Sequence, residues 1–324
     1  MNARPDGTLA ESFDTGPRGS RENPNMSMMK CPQCGQQAPL SFTTKDYNRR
    51  ISDERFDYYR CDACGFIFLS PIPQDLGRFY PSQYYEIPHD EAELADRAEE
   101  SQRSKLSVVE RFAKRGSLLE IGPAYGLFAY LAKRAGFDVT AIEMNSRCCA
   151  FLRDTVGITV VEGANTPELL KALPNFDVIV LWQVIEHLTD PWAVLSAAAQ
   201  QLAPAGRLII DTPNPAAFQF RMLGPRWTHI DAPRHVTLIP AALLVERAKL
   251  CGLTLIEIET DGAIAKGYDS FGWAFSLKGY FAGEFAGKIA HFAGRVIAKL
   301  LAPIERTGRR GSTYTAVFRK APSA

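Results

Sequence analysis

The sequence predicts an α/β fold: a seven-stranded, mostly parallel sheet covered by helices on both faces, with a small cysteine-rich unit in front of it. Three observations carry this expectation. From Ser117 onward, apolar runs alternate with segments of helical periodicity, the pattern of strands buried on both faces and joined by crossover helices. One of these strands enters a glycine-bearing turn that opens directly into a helix, Leu118 to Ala132. Four of the seven cysteines fall into two C-x-x-C pairs near the N-terminus.

The 324 residues suffice for one large domain and a small one. Basic and acidic side chains number 37 and 36, so a net charge of +1 offers no global field for drawing the chain onto nucleic acid. The three cysteines outside the pairs, Cys148, Cys149 and Cys251, lie in apolar or helical contexts, a usage that fits a reducing cytoplasm better than a disulfide scaffold. Residues 1–28 are rich in Gly, Pro, Asn, Ser and Arg, lack an apolar core, and read as a disordered tail rather than a leader peptide. No run approaches eighteen apolar residues, so no membrane-crossing helix is expected.

In chain order, the cysteine-rich unit occupies 29–73. A linker and helix follow over 74–116, with the aromatic cluster Phe79, Tyr80, Tyr84 and Tyr85 and a charged stretch, Asp90–Arg115, free of Gly and Pro. The main domain, 117–324, has expected strands at Ser117–Ile121, Asp138–Ile142, Ile158–Val161, Phe176–Trp182, Gly206–Asp211, Thr254–Thr260 and Thr313–Arg319. Gly136 and Gly252 sit where helices end, as C-cap glycines do. Two insertions interrupt the alternation: 213–240, carrying Pro, Arg and His, and 263–311, helical in pattern.

The first strand ends in Glu120-Ile121-Gly122-Pro123-Ala124-Tyr125-Gly126, and glycine at such a turn lets backbone N–H groups approach a ligand. Twenty-one positions after Gly122, Glu143 closes the second strand, where a carboxylate accepts both hydroxyls of a ribose. A dinucleotide site needs Gly at 122, 124 and 127; Ala124 and Leu127 break that fingerprint. S-adenosylmethionine has no pyrophosphate, and its ammonium and ribose suit Glu120 and Glu143. The alternative is a strand–turn–helix whose glycines are purely structural. A second motif, Phe176 to Trp192, is a buried strand followed by Gln183-Val184-Ile185-Glu186-His187-Leu188-Thr189-Asp190-Pro191, polar groups at the carboxyl end of the sheet where ligands bind in open α/β folds.

The order E-I-G-x-x-x-G, acidic strand end, V-I-E-H-L-x-D-P, then L-x-P-x-G-R-L-I-I-D-T-P-N resembles class I S-adenosylmethionine-dependent methyltransferases on a Rossmann-like sheet. Within these it resembles the branch with an aromatic-rich D-x-P-R-H segment after the fifth strand, here Trp227 to His235. The resemblance covers about Leu106 to Thr260 and the last strand. It implies that Glu120, Gly122, Ala124 and Gly126 line the methionine end of the donor, that Glu143 holds the ribose, that Met144 flanks the adenine and that Gln183 lies near the sulfonium. Ala124 departs from the usual Gly; its methyl is tolerated if the backbone keeps a negative φ.

The pairs Cys31/Cys34 and Cys61/Cys64, each followed by Gly and separated by 26 residues, form two knuckles that together complete a four-cysteine zinc ribbon, structural because no coordination position stays open. A redox pair is the alternative for a single C-x-x-C. Between the knuckles, Tyr47, Phe56, Tyr58 and Tyr59 read as a ribbon surface.

Methyl transfer needs alignment and, for many acceptors, a base. The candidates are His187, expected neutral at a helix start, and His235 with Asp231 and Arg234. Against these stand bracing roles for Glu186 and His187 and an Arg–Asp clamp. Tyr80, Tyr84 and Tyr85 either close the pocket or pack. In Lys288–Leu301, Ile289, Phe292, Val296, Ile297, Leu300 and Leu301 follow helical spacing opposite Lys288, His291, Arg295 and Lys299, with Pro303 as the stop. Such a helix lies on an anionic membrane surface, at the inner face of the membrane, or packs on protein as a lid or dimer contact. The expected activity is O- or C-methylation of a small-molecule acceptor, a sugar nucleotide or a cell-surface glycan or lipid precursor by resemblance. The alternatives are an RNA methyltransferase gripping substrate with the ribbon, and a non-catalytic donor-binding protein.

Overall fold

The computed structural model describes residues 27–81, 84–279 and 284–320. The expected tail, except its last two residues, and part of the second insertion, 280–283, lie outside the described residues. Four short strands open the chain as an antiparallel meander: β1 (Met28–Lys30), β2 (Gln37–Thr44), β3 (Phe56–Arg60) and β4 (Ile67–Leu69). Helix α1 (Glu91–Phe112) follows, begun by Asp90, whose side chain accepts from the Glu93 N–H, with Glu91 and Glu93 in the first turn where the helix dipole favours acids.

The alternating region then gives β5 (Gly116–Ile121), α2 (Leu127–Arg134), β6 (Phe137–Glu143), α3 (Ser146–Phe151), β7 (Thr159–Glu162), α4 (Thr166–Lys171), β8 (Phe176–Trp182), α5 (Pro191–Gln200) and β9 (Leu202–Pro213). Beyond these come α6 (Phe218–Leu223), β10 (Thr237–Leu238), α7 (Ala241–Leu250), β11 (Leu253–Glu259), α8 (Ala263–Lys278), α9 (Glu284–Glu305) and β12 (Thr313–Lys320).

The large sheet has the order β11-β12-β9-β8-β5-β6-β7, and β12 alone runs against its neighbours. Period-two alternation sorts its side chains into two cores. Leu119, Ile121, Ile179, Leu181 and Ile210 face the layer of α5 and α7; Leu118, Val178, Val180, Ile209 and Val317 face that of α1 and α2. From β5 the strand order runs outward in both directions, so a crevice opens beyond the carboxyl ends of β5 and β8.

The ribbon does not stand apart. β10, from the first insertion, pairs with β4 and completes a five-stranded sheet. Phe56, Tyr58 and Tyr59, expected on a ribbon surface, are buried; the first two pack with Phe79, Phe220, Trp227 and Ile230 in a third core. Burying three rings removes more apolar area from water than any exposed arrangement would leave.

Two other expectations are corrected. β9 begins at Leu202 rather than Gly206, its early residues kinked at Ala205 (φ +61) beside a register shift against β8. Helix α9 passes Pro303 and ends at Glu305. Proline removes one hydrogen bond in the final turn, and Glu305 anchors that turn by accepting from Trp273 Nε1 (2.9 Å) and Gln219 Nε2 (2.8 Å).

Candidate functional site

β5 leads into the turn Gly122–Gly126 before α2. Gly122, Ala124 and Gly126 all adopt positive φ, at 69°, 54° and 86°. A Cβ on Gly122 would stand 2.8 Å from Val184 Cγ2, so this turn and the one after β8 touch only because residue 122 has no side chain. Ala124 was expected at negative φ and is not; the left-handed region costs an L-residue about 1–2 kcal/mol relative to glycine. Its N–H donates to Glu143 Oε2 (3.0 Å), while Glu143 Oε1 accepts from Met144 N and Asn145 N (both 2.8 Å). Glu143 therefore ties the glycine turn to the end of β6. We expect Ala124→Gly to raise stability by about 1 kcal/mol through relief of that strain. A melting temperature unchanged or lowered would contradict the strain argument.

Glu120 is buried, and its Oε2 has no hydrogen-bond partner. Burial raises its carboxyl pKa against the pull of Lys105, which is itself buried and lies over the Trp182 ring at 5.5 Å. An unpartnered buried carboxyl oxygen next to a positive-φ turn fits a ligand ammonium. Met144 is 70% exposed beside Glu143. Gln183, at φ +57, closes β8; its N–H donates to Asp211 O (2.8 Å) and its side chain to the Asp211 carboxylate. These residues fit the donor-binding set that the resemblance to S-adenosylmethionine enzymes implies.

After β8, Glu186 and His187 form a single 3-10 turn, so burial and not a helix dipole keeps the His187 imidazole neutral. Its Nδ1 lies 3.1 Å from Arg234 O and 2.9 Å from Tyr80 Oη. His235 Nδ1 lies 2.8 Å from His229 O, and burial lowers this imidazole to about 3. A carbonyl only accepts, so in both rings Nδ1 carries the proton and Nε2 presents a lone pair. The two rings meet edge to face, 4.5 Å between centroids. Glu186 is fully buried: Oε2 accepts from Thr212 Oγ1 (2.8 Å), Oε1 has no partner and lies 4.0 Å from His235 Nε2, and burial pushes the carboxyl up to about 8. Ligand atoms of Glu186, His187 and His235 all lie within 4.8 Å of one another, close enough to share a proton or a cation.

Asp231 sits differently. Its Oδ2 accepts from Arg234 Nε (2.8 Å) and its Oδ1 from Arg234 Nη2 (2.8 Å) and Asn48 Nδ2 (2.5 Å). Burial alone would raise this carboxyl, but Arg234 holds it well below the usual range. It is a fixed anion in a clamp and has no free basic oxygen. From the histidines, Tyr80, Tyr84 and Tyr85 form a row, with centroids 5.0 and 4.9 Å apart, and Tyr85 reaches the neighbourhood of Glu143. The aromatic cluster thus runs from the base candidates towards Glu143.

The four ribbon cysteines converge: Sγ atoms are 3.8 Å apart for Cys31–Cys64 and 3.4 Å for Cys34–Cys61, all within 4.8 Å of one another. Sulfurs at ~2.3 Å from a tetrahedral zinc stand ~3.8 Å apart, so the donor set fits.

Sequence reasoning passed over Lys105 and Asp211, and weighed Glu186 only as a brace for its loop, which its hydrogen bond from Thr212 fits. Lys105 carried a signal: it falls on the stripe of Leu94, Ala98 and Val109 that α1 buries, where an ammonium is out of place. Asp211, buried and raised to about 6 mainly by burial, carried none, because a strand-end Asp reads as a turn residue.

A family model described as a methyltransferase domain matches residues 94–258. The ubiquinone biosynthesis O-methyltransferase of Cereibacter sphaeroides is 33% identical over 116 residues, 34% of this chain and 47% of the relative. That of a Caulobacter strain is 36% identical over 102 residues, 30% and 40% of the two chains. The match thus spans less than half the length of these curated relatives. Among solved structures, a SAM-dependent methyltransferase from Archaeoglobus fulgidus aligns with a TM-score of 0.46 at 19% identity, over 67% of this chain and 92% of that one.

Proposed function

The chain belongs to the methyltransferase-domain family, and from that premise we propose that it moves the methyl group of S-adenosylmethionine to an oxygen of a small-molecule acceptor. The observation that carries the proposal is that the turn after β5, which holds Glu120 and Glu143 beside it, adjoins the turn after β8 through Gly122 and Val184, and there His187 meets His235 edge to face, both rings neutral with Nδ1 on a carbonyl. The printed names of the two curated relatives favour oxygen as the methylated atom.

The donor supplies a methyl group on a positively charged sulfur, already activated for displacement. The chain's own residues do the remainder. Glu120 balances the ammonium and Glu143 orients the ribose while bracing the turn. Gln183 lies beside the reacting centre, and Met144 flanks the base. The histidine pair takes the acceptor proton at Nε2, and Glu186, held protonated by burial at neutral pH, faces His235 with Oε1 and favours the imidazolium once it ionises. Asp231 positions: it clamps Arg234, whose carbonyl sets the His187 tautomer. The tyrosine row excludes water above the crevice.

Replacing His187 and His235 singly with Gln is expected to lower kcat about 100-fold or more in at least one variant. Binding of the donor, read by calorimetry, should change less than about 3-fold, since Glu120 and Glu143 are untouched. Both variants turning over near the wild-type rate would remove the pair as bases, and absence of donor binding in the unaltered protein would sink the reading altogether. The pH dependence has a definite sign. With His235 near 3, the folded chain binds fewer protons than the unfolded one up to the ordinary imidazole value of about 6.5. The contribution of this residue to stability is therefore complete above about pH 6.5 and declines as the pH falls towards 3. His235→Gln should flatten that part of a melting-temperature profile.

A further inference from the structure

We propose that α9 docks this protein on the surface of an anionic lipid bilayer. Phe285, Ile289, Phe292, Val296, Leu300 and Ile304 are all exposed, Phe285, Phe292 and Leu300 by 79%, 70% and 71%. Their spacing of three and four residues makes one continuous apolar stripe along the helix. Scattered exposed apolar residues are ordinary, but six on one stripe are not. Phe271 and Phe275 on α8 are exposed as well, and stack at 4.2 Å.

The stripe is not what holds α9 in place. The helix packs on α8 through its opposite side, where Gly287, Ala290, Gly294 and Ala298 are buried. At Gly294 the approach is so close that a Cβ would stand 2.5 Å from Ala274 Cα. The tertiary fold has therefore used the small-residue face of α9 and left the large-residue face outward. Within the chain, Ile297 and Leu301 are partly buried, while Ile289, Phe292, Val296 and Leu300 face outward.

Charge selects the occupant. Arg295 and Lys299 are exposed along one flank of the stripe, in the same row as Lys288, and the acids of the helix lie only at its two ends, Glu284 and Glu305. A second copy docking antiparallel through the same stripe would set Arg295 and Lys299 against a second basic row, while the two acids of the helix, Glu284 and Glu305, stand at its ends and Glu305 is buried against Trp273 and Gln219. A surface of anionic headgroups over acyl chains matches both parts: apolar side chains enter the headgroup–acyl boundary while the flanking cations meet phosphate. No described helix is long and apolar enough to cross a membrane, so α9 lies on the surface.

Docking also has a direction. Ser276 Oγ of α8 accepts from the Thr228 N–H (2.8 Å), and the Phe271 ring lies 5.7 Å from that of His229. The loop that ends in His235 is thus one helix away from the docking surface, and a helix is ~10 Å across.

Flotation of the full-length chain, with neither donor nor acceptor present, tests the proposal independently of methyl transfer. Vesicles of phosphatidylcholine with roughly 30% phosphatidylglycerol should carry the protein upward, and vesicles of phosphatidylcholine alone should not. Because every altered side chain is exposed, two triple variants should keep the fold, as circular dichroism will verify. Phe285→Ser/Phe292→Ser/Leu300→Ser and Lys288→Gln/Arg295→Gln/Lys299→Gln are each expected to weaken partitioning about 100-fold. No flotation of the unaltered chain on anionic vesicles, or equal flotation of the variants, overturns the proposal. So does a stable dimer in solution that the serine variant dissociates.

Discussion

Arg234→Ala is expected to cost about 3–5 kcal/mol of stability, the usual loss when one member of a buried ion pair is removed. For a chain of this size that is a fall in melting temperature of roughly 4–7 °C. Arg234 is completely buried. It joins Asp46 from the loop between β2 and β3 (Nη2–Oδ1 2.6 Å, Nη1–Oδ2 3.2 Å) to Asp231 in the first insertion. Asp46 is equally buried and also accepts from the Arg49 and Ile51 N–H groups (3.0 and 3.1 Å). Without the guanidinium the buried Asp46 carboxylate and the largely buried Asp231 carboxylate lose the cation they share. Arg234→Lys should recover little, because one ammonium cannot make four directed bonds to two carboxylates. The loss should reach activity too, since the Arg234 carbonyl meets His187 Nδ1 and the next residue is His235. Thermal unfolding of the two variants and of Asp46→Asn/Arg234→Met would check this. A melting temperature for Arg234→Ala within about 2 °C of the unaltered chain would show that the clamp is not structural. The neutral Asn/Met pair is expected to be the more stable, because it leaves fewer stranded charges.

Loss of the ribbon metal is expected to be comparably severe. Structural zinc contributes ~10–16 kcal/mol in isolated finger peptides, and even a third of that, about 4 kcal/mol, exceeds the effect of an ordinary substitution. Here the consequences run beyond the knuckles. Tyr58 of β3 donates its hydroxyl to the His235 carbonyl (2.7 Å). The Leu69 N–H donates to Val236 O, and the Val236 N–H donates to Glu186 O, each at 2.9 Å. A backbone ladder therefore leads from the ribbon sheet to the turn that bears the histidine pair. Cys61→Ser should abolish stoichiometric zinc and lower kcat about 10-fold or more, with donor binding at Glu120 and Glu143 less affected. Metal analysis together with X-ray absorption should find one zinc per chain with four sulfurs at ~2.3 Å. A metal-free Cys61→Ser protein with undiminished stability and turnover would refute a structural zinc.

The chain segments that are legible from sequence are those in which local pattern and tertiary demand agree. Uniform apolar runs such as Val178–Leu181 announce strands covered on both faces, and β8 lies where its pattern places it. The paired knuckles announce their shared ligand because thiolate spacing is a local property. Glu120, Gly122 and Glu143 are readable for the same reason: a strand end, a turn and the next strand end lie at short, regular separations along the chain.

What only the folded chain decides involves partners far apart in sequence. The aromatic residues of β3 look like a binding surface until β10 and Trp227, more than 150 positions later, cover them. Asp231 looks like a catalytic acid or base until Arg234 and Asn48 occupy both its oxygens. His187 looks like a residue under a helix dipole, yet it is burial beneath Tyr80 and Arg234 that sets its charge. The late helix shows its amphipathic period in the sequence, but which face stays outward was settled by close packing of Gly294 on Ala274. Sequence thus determined the sheet, the convergence of the four cysteines and the strand-end positions of Glu120 and Glu143, each encoded by short-range spacing. Tertiary structure decided the base environment, the clamp and the exposed stripe, because desolvation and ion pairing depend on what the rest of the chain brings to the same place.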